Sequence, residues 1–515
     1  MGRGRPVLAV LAALALGWSS ALAQPPAPPP APPPGATEAH PSGVTPPGQP
    51  PSPAQPPGPP QQPAPGQPPV VLPPPVLTPP AVERGPTPIP TDPSLPTPPS
   101  PSIPSGVPFP LPPLQAVVAR PGPLFEVHPF VTLSEEYTDN FRLTADDKED
   151  NFRTSLAPGL TLIVRGGRTT GVMSASLAVT HDTITDEVRA IITGVLGGEL
   201  SYEVTPRLRL TVSDFFTRSD EPALSDRLNL RRERSTYASN TLTASADWLI
   251  GRVSTREYYR WTTFFSDQDT ETHALGASAS TLILPRTTLS AGYEHLRTDS
   301  DGAGGDLVGH EFTASVGRSI GNFASAGVSG SYALRSSTDG NGDSVNDFTR
   351  WSAAVFGSYG LPGRWSLSAS LGYSQVERDD GRTFSGITST ASLSYFFARA
   401  VASLVYEQGF SETFATGENF GVVQTRGLTA SLSAPLTPAI TGVARAFYRE
   451  NEFTGVGGGP ADTTEETWGG SLGFSVQILR WLNMGLDYTH RRISASARGG
   501  EIVENLARVS FTAAF

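Results

Sequence analysis

The sequence predicts an all-β fold, a single antiparallel transmembrane β-barrel of about 20 strands (about 16 to 18 in the alternative count), preceded by a disordered proline-rich arm. Three observations support this prediction. From about Leu124 onward, apolar residues alternate with Ser, Thr and Gly; tight turns alternate with longer loops; and the chain ends on an alternating strand whose last residue is Phe515. Strands with one apolar and one polar face, joined in this way, are the units of a membrane barrel.

The alternation is clear in two segments of the barrel region. In the segment 365–374, Trp, Leu, Ala, Leu and Tyr occupy the odd positions, and Ser or Gly occupies every even one. In the segment 482–489, Leu, Met, Leu and Tyr alternate with Asn, Gly, Asp and Thr. Small polar residues on the inner face suit a water-filled lumen better than the packed core of a soluble β-sandwich.

The connections form a second, independent pattern. Short turns are predicted at Gly166-Gly167, Thr205-Pro206, Ile250-Gly251, Pro285-Arg286, Gly321-Asn322, Pro362-Gly363, Ala398-Arg399, Pro435 to Pro438 and Arg480-Trp481. Longer stretches between them are predicted at 139–150, 219–234, 298–306, 336–347, 411–418, 453–465 and 494–503. Outer-membrane barrels have short periplasmic turns and longer extracellular loops, and an even strand number follows if both chain ends lie in the periplasm.

Two segments are expected to precede the barrel. Residues 1–23 have the pattern of a secretory signal peptide, because Arg3 and Arg5 come before an apolar core and a small-residue cleavage site at Ala21–Ala23. Residues 24–120 form a proline-rich arm, and the stretch 25–113 alone holds 40 of the 52 prolines. Such a composition favours extended polyproline II and cannot build a core. Residues 121–515 are then the outer-membrane barrel.

Composition excludes several classes of protein. The formal net charge of −11 argues against nucleic-acid binding, which needs a basic surface. The absence of cysteine excludes disulfides and a lipid-anchored lipoprotein. No apolar run after residue 24 approaches the roughly 18 residues of a transmembrane helix. The mean hydropathy of −0.17 is compatible with a barrel, in which a lipid face is averaged with a wet lumen.

The last strand carries a candidate assembly signal. One of its faces is apolar and consists of Ala507, Val509, Phe511, Ala513 and Phe515. The opposite face is polar and consists of Arg508, Ser510 and Thr512. The strand resembles the closing strand of bacterial outer-membrane proteins. The resemblance implies that the barrel-assembly machinery recognises Phe511 and Phe515.

A more specific resemblance is found at the first two strands. A strand that ends in Tyr137, Thr138, Asp139 and Asn140 is followed by an acidic loop and then by a strand that carries Pro158, Gly159 and Leu160. This arrangement resembles the exopolysaccharide-locus outer-membrane β-barrels, a second type of β-barrel porin. It is also similar to barrels associated with the PEP-CTERM and exosortase systems. The motif covers roughly 40 residues, and the long proline-rich arm departs from the family. The resemblance implies a role in moving polysaccharide across the outer membrane.

Arginines on predicted inner faces are candidate selectivity residues. They are Arg207, Arg209, Arg252, Arg256, Arg260, Arg445 and Arg449, with Tyr258 between two of them. Columns of charge in a pore select permeants, and guanidinium groups bind carboxylates and phosphates, so an acidic polysaccharide would fit. The alternative is that the arginines pair with inward acids such as Glu199, Glu203 and Glu294 and only stiffen the wall.

Other chemistry has weaker support in the sequence. Asp339, Asn341, Asp343 and Asp347 have the spacing of the start of a calcium loop, but the distal Glu of an EF-hand is missing. A solvated surface loop that binds calcium weakly at most is therefore expected, and no other cofactor. The seven histidines are scattered and no hydrolase motif is present, so an enzyme is not expected.

The sequence thus favours an outer-membrane pore that takes part in the export or assembly of a surface or extracellular polysaccharide. A general diffusion porin is one alternative. Another is a non-conducting anchor whose proline-rich arm tethers the cell wall or periplasmic machinery. The expected partners are outer-membrane lipid, the barrel-assembly machinery, polysaccharide export components and, through the arm, peptidoglycan or a periplasmic protein.

Overall fold

A computed structural model describes most of the region predicted to form the barrel. The described residues are 124–184, 187–220, 236–265, 269–300, 306–338, 347–361, 364–379, 381–412, 422–453, 463–495 and 500–515. The predicted signal peptide and proline-rich arm lie outside this set. Within it, no helix is long and apolar enough to cross a membrane.

The described residues form one antiparallel sheet. Its strand segments are β1 (Phe125–Thr138), β2 (Asn151–Arg165), β3 (Thr169–Ser176), β4 (Ala178–Asp182), β5 (Glu187–Thr205), β6 (Leu208–Ser219), β7 (Tyr237–Ile250), β8 (Val253–Phe265), β9 (Thr270–Leu284), β10 (Thr287–Ser300), β11 (Asp306–Ile320), β12 (Ala324–Thr338), β13 (Phe348–Leu361), β14 (Trp365–Arg378), β15 (Thr383–Phe396), β16 (Val401–Glu412), β17 (Val422–Thr437), β18 (Ile440–Phe453), β19 (Thr463–Leu479), β20 (Leu482–Ala495) and β21 (Gly500–Ala514).

Segments β3 and β4 are two parts of one strand. Both pair with β2, and the register that places Ser176 opposite Gly159 continues without a shift to Val179 opposite Leu156. The break at Leu177 arises on the other side, where the pairing with β5 shifts at Ala178. A bulge of this kind adds a residue to one strand without changing the number of strands. The sheet therefore has 20 strands, which confirms the predicted count.

The sheet closes into a barrel. Each strand pairs with its neighbours in the sequence, and the last strand pairs with the first, from Phe130 opposite Ala514 to Thr138 opposite Leu506. We call this pairing of β1 with β21 the closure seam. A closed antiparallel sheet leaves no edge with unpaired backbone groups, which is the condition for strands to span a lipid bilayer.

The outer surface of the barrel is apolar. Val355, Leu371 and Leu275 are 57%, 58% and 57% exposed, whereas their neighbours in the chain point to the opposite side of the sheet. Aromatic pairs mark both ends of the belt: Trp481 stacks on Phe515 at the turn side, and Trp351 contacts Tyr373 nearer the loops. An apolar band flanked by aromatic girdles is the surface that a membrane barrel presents to lipid.

The tight turns that the structure describes lie on one side of the barrel, as predicted; the predicted turn at Pro362-Gly363 lies outside the described residues. The connections on the other side are less uniformly long than expected. Only four residues separate β4 from β5, β8 from β9, and β14 from β15. Most strands have 12 to 19 residues, more than the roughly 9–11 that cross a bilayer. Hydrogen-bonded pairing thus continues beyond the membrane and includes residues that the sequence assigns to loops.

Candidate functional site: the barrel lumen

The inner wall of the barrel carries the polar face of every strand. Its side chains are more open to solvent near the tight turns than near the loops. In β14, Ser366 and Ser368 are exposed while Ser374 is buried, and in β18 Arg445 is exposed while Asn451 is buried. The lumen is therefore most accessible from the turn side, and its wall is packed with side chains toward the loop side.

The wall formed by β12 to β15 is uncharged over its turn-side half and consists mainly of hydroxyl groups. Strand alternation places these side chains on the inner face: Ser325, Ser329, Ser331, Ser352, Ser358, Ser366, Ser368, Ser370, Ser374, Thr388, Thr390, Ser392 and Ser394. Several pair across strands, with oxygen–oxygen distances of 2.7 Å for Ser325–Ser358, 2.8 Å for Ser331–Ser352 and 2.8 Å for Ser370–Thr390. We call this surface the hydroxyl wall.

Charged groups on the rest of the inner wall lie mainly in ion pairs. At the closure seam, Arg508 donates through Nε to Oε2 of Glu136 at 2.8 Å and also contacts it through Nη2. Four residues nearer the turn side, Thr132 and Thr512 share a hydrogen bond of 2.9 Å. The polar face of the terminal strand thus holds the first strand across the closure.

The most buried charges form a cluster on β11 to β13. The carboxylate of Glu311 lies 2.9 Å from Nη2 of Arg335 and 3.4 Å from Nη2 of Arg350. All three side chains are at most 2% exposed. An apolar cluster formed by Leu307, Phe348, Val376, Phe410 and Val422 lies at the same loop-side end of the strands. This part of the wall is therefore tightly packed.

Two candidate residues of β8 meet a glutamate of β10. Nη2 of Arg260 lies 3.3 Å from Oε2 of Glu294, and the Tyr258 hydroxyl donates to the same carboxylate. Gly276 of β9 pairs with Tyr258 on one side and with Glu294 on the other, and a Cβ at residue 276 would fall 2.3 Å from the Tyr258 ring. The missing side chain lets the tyrosine reach across one whole strand. Arg260 is thus ion-paired with Glu294, one of the inward acids that the sequence offers as partners for these arginines.

Three other candidate arginines lie within strands, and each has a different environment. Arg449 pairs with Glu407 at 3.0 Å, and Arg256 approaches Asp247 only to 3.9 Å with about half of each side chain exposed. The guanidinium of Arg445 lies 5.8 Å from the centre of the Phe447 ring and is exposed.

Three further candidate arginines lie near the turns. Arg209 is exposed and faces Glu203 in the ladder of β5 and β6. Arg207 and Arg252 lie in the tight turns before β6 and β8 rather than within strands. The candidate arginines therefore do not form one column, and Arg209, Arg256 and Arg445 are the exposed ones among those that lie within strands.

The motif residues at the end of β1 bind the last strand. Asp139 accepts hydrogen bonds from the backbone and side-chain nitrogens of Asn505 at 2.7 and 2.6 Å. The Thr138 hydroxyl donates to Glu504 at 3.3 Å, and Tyr137 contacts the Phe152 ring at 4.8 Å between centroids. These contacts fasten the loop-side end of the closure seam.

The second half of the motif accommodates an aromatic ring. Gly159 of β2 faces Phe130 of β1, and a Cβ at residue 159 would lie 2.2 Å from the ring. Phe130 is 7% exposed and lies on the inner face. A glycine is needed at residue 159 because the Phe130 ring packs directly on its backbone and leaves no space for a side chain. Pro158 belongs to the same strand, on its lipid-facing side.

The remaining sequence candidates are only partly described. Asp339, Asn341 and Asp343 of the calcium-like stretch lie outside the described residues, and Asp347 accepts hydrogen bonds from Ser336 and from the Ser337 backbone. The described part of the chain contains no cluster of His, Asp or Glu able to hold a metal ion. Phe511 and Phe515 lie on the outer face, 39% and 69% exposed, and their predicted role in assembly stays a prediction.

Two features of the lumen were not singled out from the sequence. The cluster around Glu311 joins residues from three strands, so only the register reveals it. The hydroxyl wall was visible as alternating serine within β14, but its extent depends on which strands are neighbours. Its signal in the sequence is the recurrence of inward Ser and Thr on consecutive strands.

Comparisons with known proteins give weak similarity. No family model matches the chain, and no curated protein matches it. Solved structures that align with it include OpdO of Pseudomonas aeruginosa (15% identity, 76% of this chain and 98% of that one, TM-score 0.38) and a BenF-like porin of Pseudomonas fluorescens Pf-5 (12%, 76% and 99%, TM-score 0.40). A variant of the ferric enterobactin receptor PfeA of P. aeruginosa aligns at 12% identity over 76% and 80% of the chains, with a TM-score of 0.44.

The strand pairing of the chain itself defines its fold. The exopolysaccharide-locus family suggested by the first two strands is not supported by the comparisons. A closed sheet of 20 antiparallel strands with an apolar outer belt and a polar interior is built to span a lipid bilayer. Single-chain barrels of even strand number that have this surface are proteins of the bacterial outer membrane. The chain is a 20-stranded β-barrel of the bacterial outer membrane.

Proposed function

We propose that the barrel is a pore for hydrophilic solutes, and that its solute is a hydroxyl-rich chain of a surface or extracellular polysaccharide during export or assembly. The observation that carries this proposal is the hydroxyl wall, the uncharged turn-side half of the inner surface of β12 to β15. A wall that only had to be stable could be packed with apolar side chains, whereas this one offers exchangeable hydrogen bonds.

The size of the barrel supports a pore. Twenty strands spaced about 4.8 Å apart and tilted by about 40° enclose a backbone cylinder about 40 Å across. Most side chains on the hydroxyl wall are Ser, Thr, Gly or Ala, which take little of that width. Barrels of about 16 to 18 strands already contain an aqueous channel, so a larger barrel has room for a hydrated polymer.

The chemistry of the hydroxyl wall suits a sugar chain. A hydroxyl group is both a donor and an acceptor, so Ser370 and Thr390 can exchange their mutual bond for one to a passing sugar hydroxyl. Because many such sites follow one another, each can be weak. Conduction requires this combination of repeated and weak binding.

The charges of the inner wall fit a chain of low charge density. Most inner cations described above are neutralised by a carboxylate, as in Arg260–Glu294 and Arg449–Glu407. Arg209, Arg256 and Arg445 remain exposed on the wall. They are placed to interact with occasional carboxylates of an acidic sugar, since guanidinium groups bind carboxylates well.

Bilayer conductance tests this proposal. The purified chain should form channels whose current is interrupted by neutral dextrin oligosaccharides and by oligogalacturonate. The double variant Ser370→Val with Ser392→Val should shorten these interruptions by about two- to tenfold. This factor corresponds to the loss of one hydrogen bond with a net contribution of about 0.5–1.5 kcal/mol. Ala369→Val, on the outer face between them, is the matched control and should have no effect.

Each outcome separates the alternatives. A folded barrel without conductance would contradict the pore and favour the anchor. Channels whose current is not interrupted by either oligosaccharide would contradict the polysaccharide part of the proposal and favour a general diffusion porin. In the native bacterium, loss of the chain should reduce surface polysaccharide, and an unchanged amount would count against a role in export.

A further inference from the structure

The connection between β1 and β2 is folded into the barrel instead of standing above it. We call residues 139–150 the mouth loop. Leu143 is 3% exposed and packs against Ile493 and Ile502, which face each other on β20 and β21. Both isoleucines point inward, because Ile502 shares its face of β21 with Glu504 and Arg508. Leu143 therefore lies against the inner wall at the loop-side end of the lumen.

A second contact places the start of the mouth loop on the other side of β1. The guanidinium of Arg153 lies 5.6 Å from the centre of the Phe141 ring. Arg153 faces inward from β2 and is held by Asp182 at 2.7 Å and by Asp220 at 2.5 Å. Phe141 and Leu143 thus touch inner walls on opposite sides of the closure seam, so the mouth loop crosses part of the opening.

Asn140 fixes this conformation. Its side chain is fully buried, donates through Nδ2 to the carbonyl oxygens of Thr144 at 2.7 Å and Val503 at 3.0 Å, and accepts from the Thr144 backbone at 3.0 Å. Within the loop, the Phe141 backbone nitrogen also donates to the Glu149 carbonyl oxygen at 2.8 Å. One amide side chain therefore ties the loop both to itself and to the last strand.

Two backbone features show that the inward position is specifically accommodated. Leu143 has a φ of 55°, a left-handed conformation that is costly for a leucine and persists only when its surroundings hold it. Gly500, at the start of β21, would place a Cβ 2.5 Å from the Cβ of Ala145. The absence of a side chain at residue 500 lets the mouth loop come this close to the wall.

We propose that the mouth loop is the constriction of the pore, with Asn140 and Leu143 as the residues that set its size limit. This proposal rests on the pore function proposed above. A packed layer of polypeptide is about 10 Å thick, and the lumen is about 30 Å wide. The mouth loop therefore occupies a substantial part of the cross-section of the lumen, on the side of β20, β21, β1 and β2. The hydroxyl wall lies on other strands and remains open to a solute.

The position of the mouth loop can be tested by cross-linking, because the chain contains no native cysteine. Leu143→Cys is combined with Ile493→Cys or with Ile502→Cys, and disulfide formation is followed on gels for the folded barrel in lipid vesicles. At least one pair should cross-link under mild oxidation. The matched control is Leu143→Cys with Val503→Cys, one residue along β21 on the outer face, which should not. Equal yields, or none in either inward pair, would overturn the inward position.

The constriction is tested by conductance and by exclusion of polyethylene glycols of graded size. Asn140→Ala and a deletion of residues 142–148 should each raise the conductance by about 1.5-fold or more and admit larger polymers, given the roughly 10 Å thickness of a packed layer. The disulfide-locked pair should keep the wild-type value. Heat-modifiable gel migration verifies that each variant is folded, and the deletion keeps the test valid if Asn140→Ala fails to fold.

The outcomes separate this proposal from the pore itself. A wild-type barrel that does not conduct contradicts the pore function, while the cross-links still locate the loop. A barrel that conducts, with unchanged conductance and polymer cut-off in the folded variants, overturns the mouth loop as the constriction.

Discussion

Glu136→Gln should weaken the barrel by opening its closure seam. Glu136 is 5% exposed and accepts two hydrogen bonds from Arg508, one of them at 2.8 Å. Hydrogen bonds to a charged group contribute about 1.5–3 kcal/mol, and leaving the partner charge behind adds to the loss. Arg508 keeps 26% of its side chain exposed to the wet lumen, which limits the penalty. We therefore expect a loss of about 2 kcal/mol, roughly a 30-fold drop in the ratio of folded to unfolded chains.

The measurement is urea unfolding of the barrel in lipid vesicles, followed by tryptophan fluorescence. Glu135→Gln is the matched control, because Glu135 is the preceding residue on the outer face and is exposed, with a single hydrogen bond from Thr154. It should cost about 0.5 kcal/mol or less. The double variant Glu136→Arg with Arg508→Glu should recover much of the loss. If Glu136→Gln and Glu135→Gln unfold at the same urea concentration, the seam does not depend on this ion pair.

Two further predictions concern packing and buried charge. Gly159→Ala should destabilise the barrel by about 1–3 kcal/mol, because the new Cβ meets the Phe130 ring, and Phe130→Ala should relieve part of this cost in the double variant, as unfolding midpoints would show. Glu311→Gln should cost about 3 kcal/mol, since it removes the carboxylate between two buried guanidinium groups. Glu501→Gln, in an ion pair with both side chains 42% exposed, should cost at most about 1 kcal/mol, and similar losses for the two would refute the reasoning.

Sequence reasoning was most successful where a property repeats along the chain. The face that carries Leu371 and Tyr373 was predicted to be apolar, and both side chains are exposed on the outer surface. A strand repeats every two residues, so its two faces can be read without knowledge of its neighbours. Turn positions were equally accessible, because Gly and Pro impose them locally.

Sequence reasoning was less successful where the outcome depends on two strands. Arg256 and Arg260 of β8 lie on the inner face, but Tyr258 reaches Glu294 only because Gly276, which has no side chain, lies between them in the ladder. The boundaries of the loops also differed, since strand pairing continues past the membrane wherever both partners can still form hydrogen bonds. The long-loop stretch predicted at 298–306 thus includes the end of β10.

The sequence by itself determined the class of fold, the approximate number of strands, the side on which the tight turns lie, and the lipid and lumen faces. These properties follow from a local period and from turn chemistry. The tertiary structure alone decided which inner residues become neighbours: Arg508 with Glu136 across the closure, Glu311 with two arginines, and Leu143 with the inner wall of β20 and β21. The physical reason is register. A barrel joins residues nearly 400 positions apart, and a shift of one residue in any ladder would exchange its inner and outer faces.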